Sequence, residues 1–416
     1  MLNKNQEREL AYVVTIDEIR EIPGYDRVEH ARTGGWWCIV PKGQFHPGDP
    51  AIYFEIDSKV PSTNPAFAFL EKRNYKIKTQ KMCKVLSQGL IMHAEDFGWS
   101  IGCNWGAMSD ENSNRKLVAI IDDKGIEHYV DDESRFLTKI LGVTYADDED
   151  NQRKASSVDK YKKMAQRHPA IFRKPFVRWL MKRTWGKKLM FLFFGKKKDK
   201  KNGWPEWVQR TDEERIQNMP WILEDKGEWV VTEKIDGSST TFTMKRGKHN
   251  KYEFYVCSRN VCFDSVNKRC YYDTNIYWEM AEKYDMYNML LAFLLGRPDV
   301  EWVTIQGETF GAGVQKRDYS LEGHDFRAFN LITSDRGRWG TLEMKDLLEK
   351  HYNIPCVPVV LPSFKFEGLD VDKLLTFAEG NSMIDNKPRE GFVFRSKDGQ
   401  RSFKAVSNSF LLKYHG

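Results

Sequence analysis

The sequence predicts an α+β protein in three parts: a strand-rich N-terminal module over 1–146, a basic linker or insertion over 147–203, and a mixed domain over 204–416. Three observations support this division. Short β-branched or aromatic runs with turn residues between them fill the first part, positive charge rises abruptly in the second, and helical periodicity appears among strand-like runs in the third. Hydrophobic residues make up 41% of the 416 residues, which excludes wholesale disorder.

The N-terminal module contains several short runs typical of strands. They lie at 12–14, 36–40, 51–54, 89–92 and 117–121, and turn residues such as Pro23-Gly24 and Gly34-Gly35 separate them. Strands of this length and spacing favour a small barrel or sandwich. The module has no evident acid–base or metal-ligating constellation, so we expect it to bind or to support rather than to catalyse.

The basic linker holds most of the charge asymmetry of the chain. Residues 153–201 contain 18 Lys or Arg and two acids, a net charge of +16, whereas the whole chain carries +6 and the remainder therefore −10. The apolar run 189–194 is much shorter than the ~20 residues that span a bilayer, so no transmembrane segment is predicted. Three interpretations stay open: contact with nucleic-acid phosphates, a solvated linker whose aromatic residues pack on a neighbouring domain, or an anionic membrane surface.

The cysteine content indicates the cellular compartment. Seven cysteines without a C-x-x-C pair argue against a disulfide framework or a structural zinc site, and for a reducing environment. The first ten residues lack the apolar stretch of a signal peptide. We therefore expect a cytoplasmic protein.

The C-terminal part predicts antiparallel sheets with a few helices. Strand-like runs lie at 229–232, 240–243, 302–305, 326–331, 391–394 and 401–404, and several follow one another without a helix between them. Helical spacing predicts one helix over 274–295, ended by Gly296-Arg297-Pro298. A second helix is predicted over 371–379, with Asp370 as its N-cap.

The candidate catalytic and ligand-binding residues lie in this C-terminal part. Lys234 ends a predicted strand just before an Asp236-Gly237 turn, and a lysine whose pKa falls from its usual ~10.4 can act as a nucleophile. A solvated hairpin lysine explains this short pattern equally well. Further along lie cations for phosphate charge, acids for a divalent metal and a ribose, and an aromatic ring for a purine: Arg259, Glu308, Phe329, Glu390 and Lys404. Together these are the parts that nucleotidyl transfer requires.

In this order the elements resemble the covalent nucleotidyltransferases, the superfamily of ATP-dependent DNA and RNA ligases and mRNA capping enzymes. The successive motifs are Lys234-Ile235-Asp236-Gly237, Ser258-Arg259-Asn260, Gly307-Glu308 with Phe329 as its aromatic partner, Glu390-Gly391-Phe392-Val393 and Phe403-Lys404. The likeness is greatest to RNA ligases with an N-terminal OB-fold module, and segments 84–90, 141–144 and 205–213 contribute to it.

The resemblance implies an OB-like β-barrel module followed by a nucleotidyltransferase domain with ATP-grasp-like antiparallel sheets and helices. It implies an ATP-dependent RNA ligase that uses ATP with Mg²⁺ or Mn²⁺ and forms a lysyl-AMP intermediate. The AMP would pass to a 5′-phosphate end, and a 3′-hydroxyl would then displace it. The expected partner is RNA or an RNA/DNA nicked duplex, whose phosphate backbone the basic segment 153–201 would contact, and the protein is expected to be a monomer.

The resemblance also implies a role for each residue. Lys234 would be catalytic, Glu233 would contact adenine, Arg259 the ribose or a phosphate, and Glu308 the ribose, while Phe329 would stack on the purine, Glu390 would bind the metal and Lys404 would hold the α-phosphate. Two positions depart from the family pattern. Lys404 is the only lysine of its motif, where many members have two, so Arg401 or Lys413 is expected to supply further charge; Ser239 replaces the Asn of some RNA ligases.

Two alternatives remain from the sequence. One is an ATP-dependent DNA ligase or a GTP-using capping-type enzyme, although these normally carry a C-terminal OB domain and this sequence ends twelve residues after Lys404. The other is a non-catalytic nucleic-acid-binding protein, in which aromatic residues such as Trp36 and Trp37 would stack on single strands.

Overall fold

The computed structural model describes residues 8–101, 118–121, 127–130, 136–146, 169–194, 204–209, 212–247, 251–259, 261–263 and 275–415. The predictions that involve Leu117, Thr211, Asn260 and Thr274, and those for linker residues 147–168 and 195–203, lie outside these residues. Within the described part, helices and antiparallel sheets confirm the predicted α+β class.

The N-terminal module is built from short strands in small antiparallel sheets. The strands are β1 (Ala11–Thr15), β2 (Glu18–Glu21), β3 (Val28–Thr33), β4 (Trp36–Pro41), β5 (Pro50–Phe54), β6 (Ser58–Lys59), β7 (Gln80–Met82), β8 (Val85–Ser87), β9 (Leu90–Met92), β10 (Ser100–Ile101), β11 (Val118–Ile121), β12 (Glu127–Val130) and β13 (Thr144–Tyr145). The sheets have the orders β1-β5-β9, β2-β3-β4, β10-β11-β12, β6-β13 and β7-β8. Segments of 3₁₀ helix lie between strands at Pro65–Arg73 and Ala94–Phe97.

Both faces of strand β1, which lies at the edge of the sheet β1-β5-β9, are buried. Val13 belongs to one apolar cluster and Tyr12 and Val14 to another. The Trp36 side chain is only 2% exposed, so its ring is not accessible to a stacked base. Trp37 is partly exposed, and the Arg20 guanidinium lies 4.4 Å from its ring centroid.

The described part of the basic linker forms three short helices. These are α1 (Pro169–Phe172), α2 (Pro175–Met181) and α3 (Thr184–Phe194). They enclose a small core of four buried side chains, Phe172, Val177, Leu180 and Met190. Among the described helices of the whole chain, none is long and apolar enough to cross a membrane.

The C-terminal domain is built on two antiparallel sheets. Its strands are β14 (Trp229–Lys234), β15 (Ser238–Arg246), β16 (Tyr252–Ser258), β17 (Cys262–Phe263), β18 (Trp302–Gly311), β19 (His324–Thr333), β20 (Gly337–Arg338), β21 (Val359–Phe364), β22 (Gly391–Ser396) and β23 (Ser402–Val406). Its helices are α4 (Ile276–Lys283), α5 (Met286–Leu295), α6 (Thr341–Tyr352), α7 (Val371–Phe377) and α8 (Asn408–Phe410), the last continuing as a π turn over Leu411–His415. One sheet has the order β21-β14-β22-β23 and the other β17-β16-β15-β18-β19-β20.

Helices cover one face of each sheet. Helices α4, α5 and α6 share an apolar core with the six-stranded sheet, and α7 shares one with the four-stranded sheet. The single helix predicted over 274–295 is wrong, because Asp285 adopts a left-handed conformation (φ 46°) that separates α4 from α5. The predicted N-cap of α7 is confirmed, since the Asp370 carboxylate accepts a hydrogen bond from the Lys373 backbone N–H.

The N-terminal module packs directly on the C-terminal domain. Gly35, between β3 and β4, has φ +85°, and a Cβ there would lie 2.6 Å from Cγ1 of Val371 in α7. Leu86 of β8 packs with Val406 and Leu411 at the end of the chain. A side chain at position 35 would therefore force these two parts of the protein apart.

Candidate active site

The C-terminal domain contains a cleft of about 370 Å³ between its two sheets. All seven site residues predicted from the sequence line it: Glu233, Lys234, Arg259, Glu308, Phe329, Glu390 and Lys404. They come from six strand ends or strands that are far apart in the sequence. The architecture thus brings together the entire predicted set.

The register of β14 and β22 places Lys234 beside Glu390. Lys234 is paired with Gly391 across the two strands, and its Nζ donates a hydrogen bond to Glu390 Oε2 at 2.7 Å. Gly391 has φ +149°, and a Cβ there would lie 2.1 Å from the Ala405 carbonyl oxygen. Position 391, at the start of β22, therefore requires a glycine, and this backbone conformation places the preceding residue, Glu390, opposite Lys234.

The pKa of Lys234 is raised above its usual value. Burial of the ammonium acts to lower this pKa, but attraction by the Glu390 and Glu308 carboxylates and the hydrogen bond to Glu390 outweigh burial. The protein without a bound cation therefore holds Lys234 protonated. The sequence-based expectation of a lowered pKa presupposed a metal or another cation beside the lysine, and in its absence the shift has the opposite sign.

A tight turn carries the chain from Lys234 to the facing sheet. A Cβ on Gly237 would lie 2.4 Å from the Thr309 carbonyl oxygen, so only glycine permits this close approach. Ser239 follows and lies directly opposite Glu308 in the β15–β18 register. Burial raises the pKa of Glu308 to about 8, with repulsion from Glu390 and Asp236 adding to it and Lys234 opposing it.

Two cations of the cleft bind the same carboxylate, that of Asp212, for which the sequence predicted no role. Lys404 Nζ lies 3.1 Å from Asp212 Oδ1, and Arg259 Nη2 lies 2.6 Å from Asp212 Oδ2. Burial acts to raise the pKa of Asp212, but these two cations hold it below its usual value. Asp212 therefore fixes Lys404 and Arg259 relative to each other.

The additional positive charge of the cleft comes from residues other than those expected. Arg401 binds Asp225, and the Lys413 ammonium lies 5.2 Å from the Tyr414 ring centroid; neither is among the described residues that line the cleft. Arg215 and Arg395 line it instead. Arg395 pairs with Glu213 at 2.9 Å, while Arg215 Nη1 is buried and has no hydrogen-bond partner among the described residues.

The available sequence signal for these residues was the charged segment 212–215. The resemblance included part of it but assigned it no function, and alternating acids and a cation are equally typical of a solvated surface. Contacts with distant strands distinguish the two cases: Arg215 forms a β-bridge with Lys404 of β23, and Asp212 binds both Lys404 and Arg259.

One wall of the cleft combines a buried carboxylate with an aromatic ring. Glu233 is 1% exposed; its Oε2 accepts a hydrogen bond from the Met383 N–H at 2.7 Å, whereas its buried Oε1 has no partner among the described residues. Phe329 is half-buried and packs in one cluster with Ile235 and Val357. An unused acceptor close to an apolar ring suits a flat heterocycle that carries an amino group.

The carboxylates of the cleft fit a divalent cation that shares its coordination with a substrate. Within the described ranges, no three His, Cys, Asp or Glu side chains form a preassembled metal site. Mg²⁺ is usually held by one or two carboxylates together with substrate phosphates and water. Glu390 and Asp236 offer such oxygens on the cleft wall, so the donor set suits Mg²⁺ or Mn²⁺ completed by a phosphate ligand.

Comparison with known proteins identifies both modules. Residues 227–415 match the RNA ligase family model, and residues 10–94 match an OB-fold domain model. Residues 227–415 form an RNA ligase domain. All the predicted site residues lie in this ligase domain, and the basic linker lies outside both matches. The family resemblance and the predicted order, OB module before transferase domain, are confirmed, while the predicted boundaries of the three parts stay predictions.

Solved structures of Naegleria gruberi RNA ligase resemble the whole chain. The structure with pyrophosphate has 25% sequence identity and a TM-score of 0.62, covering 98% of this chain and 99% of that chain. Two mutants with AMP and manganese have 26% and 25% identity and TM-scores of 0.61 and 0.63, with the same coverage. No curated protein sequence matches this chain.

Proposed function

We propose that this protein is an ATP-dependent RNA ligase that becomes adenylylated on Lys234. The observation that carries the proposal is the lysine itself: in an RNA ligase domain, its Nζ lies 2.7 Å from Glu390 in a cleft lined by every other residue the chemistry requires. The AMP, manganese and pyrophosphate bound to the similar Naegleria enzyme support ATP with Mg²⁺ or Mn²⁺ as the ligands of this cleft.

In the first step Lys234 attacks the α-phosphorus of ATP. An N–P bond forms, the bond from the α-phosphorus to the bridging oxygen breaks, and pyrophosphate leaves. Lys234 must lose a proton beforehand, and its raised pKa opposes this as long as Glu390 faces it. A Mg²⁺ or Mn²⁺ held by Glu390 would neutralise phosphate charge and weaken the attraction between this carboxylate and the ammonium, which would favour loss of the Lys234 proton to solvent before the attack.

The other residues of the cleft bind and orient the nucleotide. Glu233 Oε1 accepts a hydrogen bond from the adenine amino group, and Phe329 stacks on the purine. Glu308, whose pKa of about 8 keeps it largely protonated at neutral pH, hydrogen-bonds the ribose. Lys404 and Arg259 hold phosphate oxygens, since fixed cations stabilise the charge that develops during phosphoryl-type transfer.

The remaining steps seal a strand. The AMP moves from Lys234 to a 5′-phosphate, forming a pyrophosphate linkage, and a 3′-hydroxyl then attacks that phosphate and releases AMP. We propose that the two ends are those of a nick in an RNA or RNA/DNA duplex, that the basic segment 153–201 contacts its phosphates, and that the enzyme acts as a monomer. Sealing of four nicked duplexes, differing only in RNA or DNA on each side of the nick, tests this substrate.

Adenylylation is tested by incubation with ATP labelled at the α-phosphate and Mg²⁺. The wild-type protein is expected to acquire one label, and Lys234→Met none. Lys245→Met is the matched control, because Lys245 pairs with Glu301 at 3.0 Å outside the cleft and should leave labelling unchanged. An unlabelled wild-type protein, or labelling of Lys234→Met equal to that of the wild type, contradicts the proposal.

A further inference from the structure

The helices of the basic linker expose a cluster of large apolar side chains. Phe176 and Trp179 on α2 are 67% and 45% exposed, and Trp185 and Leu189 on α3 are 54% and 41% exposed. The same segment, 169–194, contains seven Lys or Arg and no acid. Exposed rings and uncompensated positive charge thus coincide on one small element, which we term the basic helical segment.

The rings on α2 form an ordered stack. Phe176 and Trp179 lie nearly parallel, with 5.9 Å between their centroids and 19° between their planes. The Arg183 guanidinium covers Trp179 at 3.5 Å from its centroid. Phe176 therefore stacks on Trp179, and its high exposure leaves it accessible to a further planar group.

The small core of the segment supports this arrangement. Val177 and Leu180, on a neighbouring face of α2, are buried against Phe172 and Met190. Helix α2 begins with Pro175, whose fixed φ suits the first turn of a helix. Packing of these buried side chains thus fixes α2 in an orientation that leaves Phe176 and Trp179 exposed to solvent.

The mixture of charge and rings favours a polynucleotide over a lipid surface. Insertion of the aromatic face into acyl chains would also take Arg183 out of water, because it lies directly on the Trp179 ring, and an unpaired buried charge is costly. Arg178, Lys182 and Lys188 are exposed beside these rings. Alternating cations and rings match a strand in which phosphates alternate with bases.

The segment is tethered close to the ligase cleft. Nine residues separate Phe194 from Trp204, and the ten Cα–Cα steps between the two span at most ~35 Å, which corresponds to roughly ten base pairs of duplex. The chain then contacts the ligase domain, where Trp207 Nε1 donates a hydrogen bond to Thr243 Oγ1 at 3.2 Å and its ring packs against Tyr255 on β16. Arg259 of the cleft follows the end of that strand.

We propose that the basic helical segment binds an unpaired stretch of the polynucleotide near the break, with a base stacked on Phe176 and with Arg178, Lys182 and Lys188 at the phosphates. Only unpaired bases are available for such stacking, because paired bases are covered by their neighbours. The inference rests on the proposed ligase function for the identity of the polynucleotide, and adds a second site for it outside the cleft.

Binding of two labelled probes tests the stacking. One is a nicked RNA duplex and the other the same duplex with a single-stranded extension of about ten nucleotides, within the usual range of such sites. Wild type is expected to bind the extended probe more tightly, and Phe176→Ala to lose about tenfold of that preference. Phe69→Ala is the matched control, since Phe69 is 61% exposed on the N-terminal module.

Charge is tested separately by the triple variant R178Q/K182Q/K188Q. The slope of log affinity against log salt should become shallower by about 2, since each phosphate contact with a single strand contributes ~0.7. The control K226Q/K350Q/K365Q removes three exposed lysines elsewhere and should keep the wild-type slope.

Two results would overturn the inference. One is equal preference of Phe176→Ala and wild type for the extended probe. The other is wild-type co-sedimentation with phosphatidylserine vesicles that Phe176→Ala abolishes while RNA binding stays unchanged, which would assign the segment to a membrane surface. ATP labelling is measured on every variant, so failure of the proposed ligase function appears as an unlabelled wild type, independently of these binding results.

Discussion

The ligase cleft and the basic helical segment are both rich in cations, but they use them differently. In the cleft, Lys234 faces Glu390, and Lys404 and Arg259 share Asp212. In the segment 169–194 seven cations occur without a single acid in the sequence. The ion pairs of the cleft hold its cations in defined positions with little net charge, whereas the net positive charge of the segment creates a field whose exact geometry matters less.

The contrast shows that the strongest net charge of a chain and its candidate active site can lie in separate parts of the molecule. The basic linker dominates the charge distribution of the sequence, yet Lys234 lies in a region whose overall charge is negative. Phosphoryl-type transfer requires catalytic groups in exact positions, whereas electrostatic attraction alone is sufficient to hold a polyanion. Perturbing one class of cation should therefore leave the function of the other intact.

The largest expected effect comes from removing the carboxylate that positions two cleft cations. Asp212→Asn should slow Lys234 adenylylation by roughly 100-fold, because a displacement of about 1 Å in a positioning group has that cost. Asp346→Asn, which breaks the surface pair with Lys350 on α6, is the control and should have no effect. A rate for Asp212→Asn within twofold of wild type would show that Lys404 and Arg259 do not depend on this pairing.

A smaller effect is expected from salt, which should weaken polynucleotide binding by the basic helical segment much more than it slows adenylylation in the cleft. Between ~50 and ~200 mM KCl, three phosphate contacts of the basic helical segment predict a loss of roughly 20- to 40-fold in polynucleotide affinity. Adenylylation of Lys234 should change by less than about threefold, because partly buried pairs are screened little. Measuring both on the same protein checks the contrast, and equal salt dependence would remove it.

The smallest effect concerns stability in the absence of metal and nucleotide. Glu308 has a pKa of about 8 in the folded protein and 4.5 as its ordinary value, so between these pH values the folded state binds more protons and stability falls as pH rises. Glu308→Gln removes this contribution. Its Tm should exceed that of wild type by roughly 2–4 °C near pH 8 and match it near pH 4, as thermal unfolding scans can show.

The sequence predicted the proposed site residues better than their surroundings. Lys234, Glu308, Glu390 and Lys404 were recognisable because each lies in a short motif of fixed order, on a strand or next to one. Asp212 and Arg215 were not assigned, because their significance comes from contacts with Lys404 and Arg259, which lie far away in the sequence, rather than from local pattern.

Local conformation set a second limit to prediction. The helix predicted over 274–295 has continuous apolar spacing, and the spacing contains no sign that Asp285 adopts a left-handed backbone. Likewise the expected compensating cations were the nearest ones in sequence, Arg401 and Lys413, whereas the cleft uses Arg215 and Arg395. Proximity along the chain is a poor guide where strands from distant segments pair.

The pairing of β14 with β22 has a consequence for how the protein can be studied. Lys234 and Glu390 are 156 residues apart, and a slip of one residue between these strands would turn the lysine to the opposite face of the sheet. Under the proposed chemistry, only a molecule whose domain has closed in the correct register can acquire AMP. Covalent labelling of Lys234 with AMP thus reports that the native strand pairing is present. The time at which the label appears during refolding would show when β14 pairs with β22.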